Sequence, residues 1–238
     1  TATTVTPREI ALGESAATQQ RIKLQINSNS RTSVTYNITH EPALATGPTA
    51  ANVSGTFVGQ IDYFDSFATV AFEKSTVKVQ GPSVENLDVT ITAPAGLADR
   101  GIYGGYIVLT PQGGGQALRV PYAGYKGDYQ AIQVLAPTVN GFPWLAQIAG
   151  GSYNNRPLGA TYTLVGDDIP YFLIHLDHHS EAVRLEALDM NRKVVGQVSL
   201  DEWVTRNSSA TGFFAFTWNG DVYRKDPNKA QQWSSVPN

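Results

Sequence analysis

The chain predicts an all-β protein made of two tandem antiparallel β-sandwiches, and three observations carry that expectation. Apolar and polar residues alternate with a period of two in short runs, the pattern of half-buried strands. Glycine and proline punctuate those runs, 22 and 13 of them. The length of 238 residues exceeds the roughly 100 of one sandwich and calls for two cores. Hydrophobic residues make up 42% and charged residues 16%, a globular composition rather than a disordered one. The expected domains are residues 1–128 and 129–238.

In the first half, Val5 to Leu12 and Arg21 to Ile26 alternate, with the polar stretch Gly13 to Gln20 as a turn. Ile22, Leu24 and Ile26 share one face, as do Val34, Tyr36 and Ile38, so Asn27 to Thr32 is expected to be a hairpin. Glu41 to Gly59, broken by Pro42, Gly47, Pro48 and Gly55, reads as a long loop, with His40 at its start. Val77 to Gln80 and Asn86 to Thr92 alternate again, and Pro94-Ala-Gly96 ends the second run. Gly101 to Tyr129 is the most informative stretch. It reads as two strands joined by Pro111-Gln-Gly-Gly-Gly115, a loop that tolerates positive φ. The returning strand is expected to stop at Pro121, which has no ladder donor. About seven strands result.

The second half opens with a proline-rich junction, Val134 to Pro137 and Gly141 to Trp144. Thr161 to Val165, Tyr171 to Leu176, Ala182 to Leu188 and Lys193 to Val198 are strand candidates, the last two a hairpin through Asp189 to Arg192. A helix over Val183 to Leu188 is the alternative; alternation and the turn favour the hairpin. Gly212 to Gly220 closes the visible set.

Several segments resemble one family. Val34 to Pro42 is similar to a tract of extended strand, N-x-T, histidine and proline; Val89 to Gly127 is similar to a proline-glycine turn followed by Y-x-G-Y-I and P-Y-x-G. Together with Pro121 to Asp128, PYAGYKGD, they resemble the fibronectin-III-like domain after the catalytic domain of secreted subtilisin-like proteases of the C5a-peptidase and fungal subtilase type. Trp218-Asn-Gly220 resembles a W-[DN]-G late in such tails. The family pattern continues with a turn and a final strand, which the resemblance implies is missing here, leaving an open sheet edge able to pair with a second copy as a homodimer.

A formal net charge of −3 gives no attraction to phosphate backbones, so nucleic acid is not an expected partner. No segment is apolar enough to span a bilayer, and the N-terminus TATTVTPREI lacks the features of a signal peptide, so the chain reads as a mature fragment. With no cysteine, disulfides, thiol catalysis and Cys-bound zinc are excluded. Sequons at Asn37, Asn52 and Asn207 favour a secreted, glycosylated chain.

His175-Leu-Asp-His-His179 is the one histidine cluster. In a strand, His175, Asp177 and His179 share a face of a kind that suits a metal; a strand end with exposed polar groups is the preferred reading, and no metal or other cofactor is assigned. No segment resembles the H-G-T and G-T-S-M-A contexts of a subtilisin-type triad. His40 reads as a turn or interdomain residue, Gly113-Gly-Gly115 as a hairpin loop rather than a phosphate cradle, and Asp167-Asp168 and Asp201-Glu202 as turn acids. Tyr103, Tyr106, Tyr122, Tyr125 and Trp144, with Tyr129, form the candidate binding surface, because exposed aromatic ridges bind sugars or protein chains; core packing is the preferred alternative.

The resemblance implies a non-catalytic accessory region of a secreted serine protease, with the catalytic domain or substrate protein as partner. The competing expectation is an independent secreted binding protein, lectin-like or immunomodulatory, with a glycan as ligand.

Overall fold

The computed structural model describes residues 3–14, 19–48, 61–209, 211–224 and 232–235. Every regular element among them is a strand. The chain divides into two compact units, Thr1–Ala50 with Gln60–Ala131, and Ile132–Asn238.

The first unit contains β1 (Thr3–Thr6), β2 (Ile10–Glu14), β3 (Gln19–Ser28), β4 (Val34–Pro42), β5 (Ala45–Pro48), β6 (Ile61–Phe64), β7 (Thr69–Phe72), β8 (Thr76–Val79), β9 (Ser83–Thr92), β10 (Ile102–Pro111) and β11 (Leu118–Tyr125). One sheet runs β1-β3-β9-β7 and the other β2-β11-β10-β4-β8, with β5 pairing β10 and β6. Alternation decides which side chains meet between the sheets: Leu24 and Ile26 from β3, Leu87, Val89 and Ile91 from β9, Ile107 and Leu109 from β10 and Val120 from β11 form one buried cluster. Burying such side chains contributes about 1.5–3 kcal/mol each before chain entropy is subtracted. The result is a β-sandwich.

Four local expectations change. The run Val5 to Leu12 is two strands, not one, because Pro7 cannot donate to a ladder and Arg8 and Glu9 bend outward. So β1 pairs antiparallel with β3, whereas β2 crosses over and pairs parallel with β11. Asn27 to Thr32 is a crossing between sheets, not a hairpin, since β3 pairs β1 and β9 while β4 pairs β10 and β8. Part of the expected loop after Glu41 is ordered as β5, paired with β6, and β4 carries His40 as far as Pro42. With these short strands and β7 the count before Asp128 is eleven among the described residues, rather than seven. Finally, β11 continues through Pro121 to Tyr125: the β2 ladder begins only at Tyr122, so at Pro121 the strand has a neighbour on one side alone.

The second unit contains β12 (Trp144–Ala149), β13 (Ser152–Arg156), β14 (Tyr171–Ile174), β15 (Ser180–Leu188), β16 (Val194–Val204), β17 (Phe214–Thr217), β18 (Asp221–Arg224) and β19 (Gln232–Ser235). They form two four-stranded sheets, β13-β12-β14-β17 and β15-β16-β18-β19. Phe142, Ala146 and Leu173 are buried together, with Trp144, Tyr153 and Tyr171 half-buried against them. The rings form a chain: Phe142 lies 5.2 Å from Trp144 and 5.6 Å from Phe213, and Tyr153 meets Phe213 and Tyr171 edge-on at 5.6 and 5.4 Å. Offset and edge-to-face pairs of this kind add about 0.5–1.5 kcal/mol beyond burial.

The β15–β16 hairpin forms as expected. Asp189 accepts from the N–H groups of Asn191 and Lys193 through its carboxylate, and Arg192 takes φ 63°. Thr161 to Val165 is not a strand. The Asp168 carboxylate accepts from the Thr163 N–H and hydroxyl and from Gln147, tying this segment into a turn. The β12–β13 hairpin has no counterpart in the sequence reading, although Gly150 and Gly151 both take positive φ, as a two-residue turn requires. The strand set does not close at Gly220 either: β18 and β19 follow it and pair antiparallel.

Candidate binding surface

The segment that dominates the sequence also dominates the first unit. On β10 and β11, Tyr103 stands opposite Gly124, and Gly105 opposite Tyr122. Each strand therefore offers a Tyr-x-Gly triplet to the other in reverse order, so each ring lies over the glycine facing it. A Cβ added at Gly124 lands 2.5 Å from the Tyr103 ring; one at Gly105 lands 2.8 Å from the Tyr122 hydroxyl and 2.7 Å from the Glu41 carbonyl. Only glycine leaves room for the rings, which explains both triplets by close approach rather than by turn geometry. Tyr103 and Tyr122 are buried.

Beneath this pair, the Tyr122 hydroxyl and His40 Nε2 are 2.7 Å apart and hydrogen-bonded. Burial, with a smaller contribution from the Tyr103 phenol, pushes the Tyr122 phenol up to about 12. Burial also raises the Tyr103 phenol and lowers the His40 imidazole below its ordinary value. The neutral forms of all three are favoured.

On the opposite face of β10 and β11 Tyr106 and Arg119 are exposed, while Val108 is buried. Arg119 forms a two-pronged ion pair with Glu41, at 2.6 and 2.9 Å, and lies 5.6 Å over the Tyr106 ring. At the Ile102 end, Gly13, Glu14, Ile102, Ala123, Gly124, Tyr125 and Tyr129 line a shallow apolar groove of about 320 Å³. Its floor is glycine and alanine. Its walls are Ile102, 53% exposed, and Tyr129, 45% exposed and packed edge-on to Tyr125 at 5.5 Å. The Tyr129 N–H donates to Glu14, which pins the segment after β11 beside β2.

The five predicted surface aromatics thus separate. Tyr103 and Tyr122 are core; Tyr106 is on the outer face under Arg119; Tyr125 lines the groove. Trp144 belongs to the second unit, half-buried, its indole N–H donating to the Asn140 carbonyl. Ile102 and Ala123 escape the sequence reading because nothing about an isoleucine or alanine in a strand marks it as groove-lining.

The other predicted residues have plain positions. Asn37 is exposed on β4 and accepts from Gln112. Asn52 lies outside the described residues. Asn207 is buried, and its side-chain oxygen accepts from the Leu176 N–H at 2.8 Å. The histidine cluster does not share a strand face, because β14 ends at Ile174. His175 is buried and its Nδ1–H donates to the Gly212 carbonyl at 2.7 Å, while His179 is exposed. Among the described residues no three His, Asp or Glu side chains gather as metal ligands. Gly114 and Gly115 have positive φ in the β10–β11 loop. Asp201 and Glu202 sit within β16, not beside a turn. The Asp168 carboxyl is held below its ordinary value by the Thr163 hydrogen bonds.

Comparison with known proteins agrees with this architecture for the first unit. Residues 10–123 match the Fn3-like domain. The match runs from the start of β2 into β11 and takes in Tyr103, Gly105 and Tyr122, so this region is similar to an Fn3-like domain. No curated protein matches the chain. Solved structures that overlap it loosely include the PapD-like domain 7 of human CEP192, 11% identical over 54% of this chain and 87% of that one, TM-score 0.39. Another is the FixG-related protein of Vibrio parahaemolyticus, 16% identical over 46% and 80%, TM-score 0.31. A third is the chaperone–tip subunit pre-assembly complex of Acinetobacter baumannii archaic pili, 10% identical over 91% of each chain, TM-score 0.33. Overlaps this loose carry no argument.

Proposed function

We propose that this chain is a non-catalytic accessory region of a secreted subtilisin-like serine protease, which supports or positions the catalytic domain or contacts substrate protein. One observation supports the reading above the others. The reciprocal Tyr-x-Gly pair, which only glycine at Gly105 and Gly124 permits, is built from the residues by which the sequence resembles the domain following the catalytic domain of those proteases. The module's contribution is rigidity, a sheet locked by two ring-on-glycine contacts, together with an apolar groove beside it. On this reading the chain alone hydrolyses no peptide.

The test is the complete transcript encoding the chain. An open frame continuing upstream of Thr1 into a segment with Asp, His and Ser in subtilisin-type contexts is the expected result; a start codon directly upstream of Thr1, or an unrelated upstream domain, overturns the reading. Secretion has its own check. In a secreting eukaryotic host, Asn37 carries a glycan and Asn207 does not, because Asn207 is buried and a sugar on its Nδ2 has no open path to solvent.

The groove favours a second reading, a glycan-binding protein, because Tyr125 and Tyr129 offer ring faces and edges to a sugar. Retention on a glycan array that is lost in Tyr129→Ala selects it; no retention removes it.

A further inference from the structure

The β15 strand borders its sheet, with β16 on one side and no paired strand on the other among the described residues. Its backbone is regular. Pairing with β16 shifts register twice, but the extra residues, Val198 and Val195, both fall on β16, since Leu185 and Glu186 face Ser199 and Gln197 while Ala187 and Leu188 face Gly196 and Val194. Bulges usually spoil a free edge; here the extra residues fall on the paired strand and not on the free one.

The free strand is also complementary to itself. Val183, Leu185 and Ala187 are half-buried on one face, and Ala182, Arg184, Glu186 and Leu188 are exposed on the other. Turned antiparallel about Leu185, it sets Leu185 against its own copy and Val183 against Ala187. On the other face it sets Arg184 against Glu186 twice and Ala182 against Leu188 twice. The next pair, Glu181 with Asp189, brings carboxylates together and ends the ladder. Centring on Arg184 or Glu186 instead places like charges directly opposite, which destabilises an antiparallel pair. One register therefore satisfies every pair, and its neighbours are penalised. We propose that β15 is a homodimerisation edge, pairing antiparallel with the β15 of a second copy about a two-fold axis through Leu185, its register selected by reciprocal Arg184–Glu186 ion pairs.

Within one chain Arg184 Nε already lies 3.2 Å from Glu186, so both side chains reach the same side of the strand. Pairing brings a second partner to each charge, and the free backbone groups of the edge supply the ladder. Exposed ion pairs are individually weak, about 0.2–1 kcal/mol, so the dimer is weak and concentration-dependent, with charge deciding register more than strength.

Sedimentation velocity on the full chain over a concentration series tests this, with circular dichroism to verify that each variant is folded. The expected result is a monomer–dimer equilibrium, with Arg184→Glu and Glu186→Arg each weakening dimerisation at least about tenfold, the equivalent of 1.4 kcal/mol. An equimolar mixture of those two variants regains association, because the two carboxylates that one copy then carries at positions 184 and 186 face the two guanidinium groups of the other. The double variant Arg184→Glu/Glu186→Arg dimerises alone. A wild-type chain that stays monomeric throughout, or single variants that dimerise like wild type, overturns the proposal; so does a folded mixture that fails to associate.

Discussion

The two units of this chain are held together differently. In the first, aliphatic side chains from two sheets meet in one continuous buried cluster, from Leu24 and Ile26 through Leu87 and Val89 to Ile107 and Leu109. In the second, the buried cluster of Phe142, Ala146 and Leu173 is small, and much of the holding is done by half-buried rings and by polar groups fixed to the backbone, such as His175 on Gly212 and Asn207 on Leu176. Aliphatic cores are dense and relax little when an atom is lost; ring stacks at a half-open surface can tilt to fill a gap. Similar strand content thus rests on unequal foundations.

The sharpest way to break that comparison is a matched pair of deletions. Leu24 and Leu173 are both fully buried. Leu24→Ala is expected to cost about 4 kcal/mol, near the top of the usual range, and Leu173→Ala about 2 kcal/mol, because the neighbouring rings relax. Denaturant unfolding of both variants checks it, and equal losses break the distinction.

A smaller effect is expected from adding one methyl group under a tyrosine. Gly124→Ala collides with the Tyr103 ring and is expected to cost about 1–3 kcal/mol. Gly113→Ala, with nothing within 4 Å of the new Cβ, serves as the control and is expected to change stability by less than about 0.5 kcal/mol. Thermal melts of the two variants decide whether close approach, rather than turn conformation, dictates the triplet glycines.

Tyr122 gives the first unit a pH signature. An unfolded tyrosine loses its proton near pH 10, and the folded one only at about 12, so ionisation above pH 10 favours the unfolded chain. Stability is full below pH 10 and falls as pH rises toward 12, by about 2–3 kcal/mol at most. His40 acts at the other end: its imidazole is lowered by burial, so stability is full above the ordinary value near 6.5 and declines as pH falls below it. Tyr122→Phe is expected to cost about 1 kcal/mol at neutral pH, by leaving His40 without its partner, and to flatten the alkaline decline. A decline that persists unchanged in that variant assigns it elsewhere.

The least effect is expected at Arg119→Ala, below about 1 kcal/mol, since its pair with Glu41 is half-exposed. A larger loss would show that the outer face of the first unit is structural rather than free for contact.

What is legible in the sequence follows the same division. Strand alternation exposes β3, β4, β8, β9 and β10 because each buries one face in a deep apolar core, and the Asp189–Arg192 turn exposes the β15–β16 hairpin because its hydrogen bonds are local. Which strands pair is not legible: β3 and β4 look like a hairpin, yet the chain between them crosses from sheet to sheet, a choice made by contacts distant in sequence. Thr161 to Val165 looks like a strand, but a carboxylate at Asp168 captures it. β12 and β13 stay hidden where aromatic and polar residues replace the aliphatic rhythm. At the surface, the tyrosines are conspicuous by type, but residue type does not tell which faces the core; Tyr103 and Tyr122 turn inward because glycines oppose them, whereas Tyr125 borders the groove.

Hydrogen exchange on the full chain, followed peptide by peptide at neutral pH, tests the inequality of the two units most directly. Backbone amides in a continuous dry core open only with global unfolding, whereas those behind a thin cluster open locally. The prediction is that the slowest exchange falls in β3, β9, β10 and β11, with β12, β14 and β17 exchanging well before them. Equal protection in both units, or slower exchange around Leu173 than around Ile107, would contradict the account.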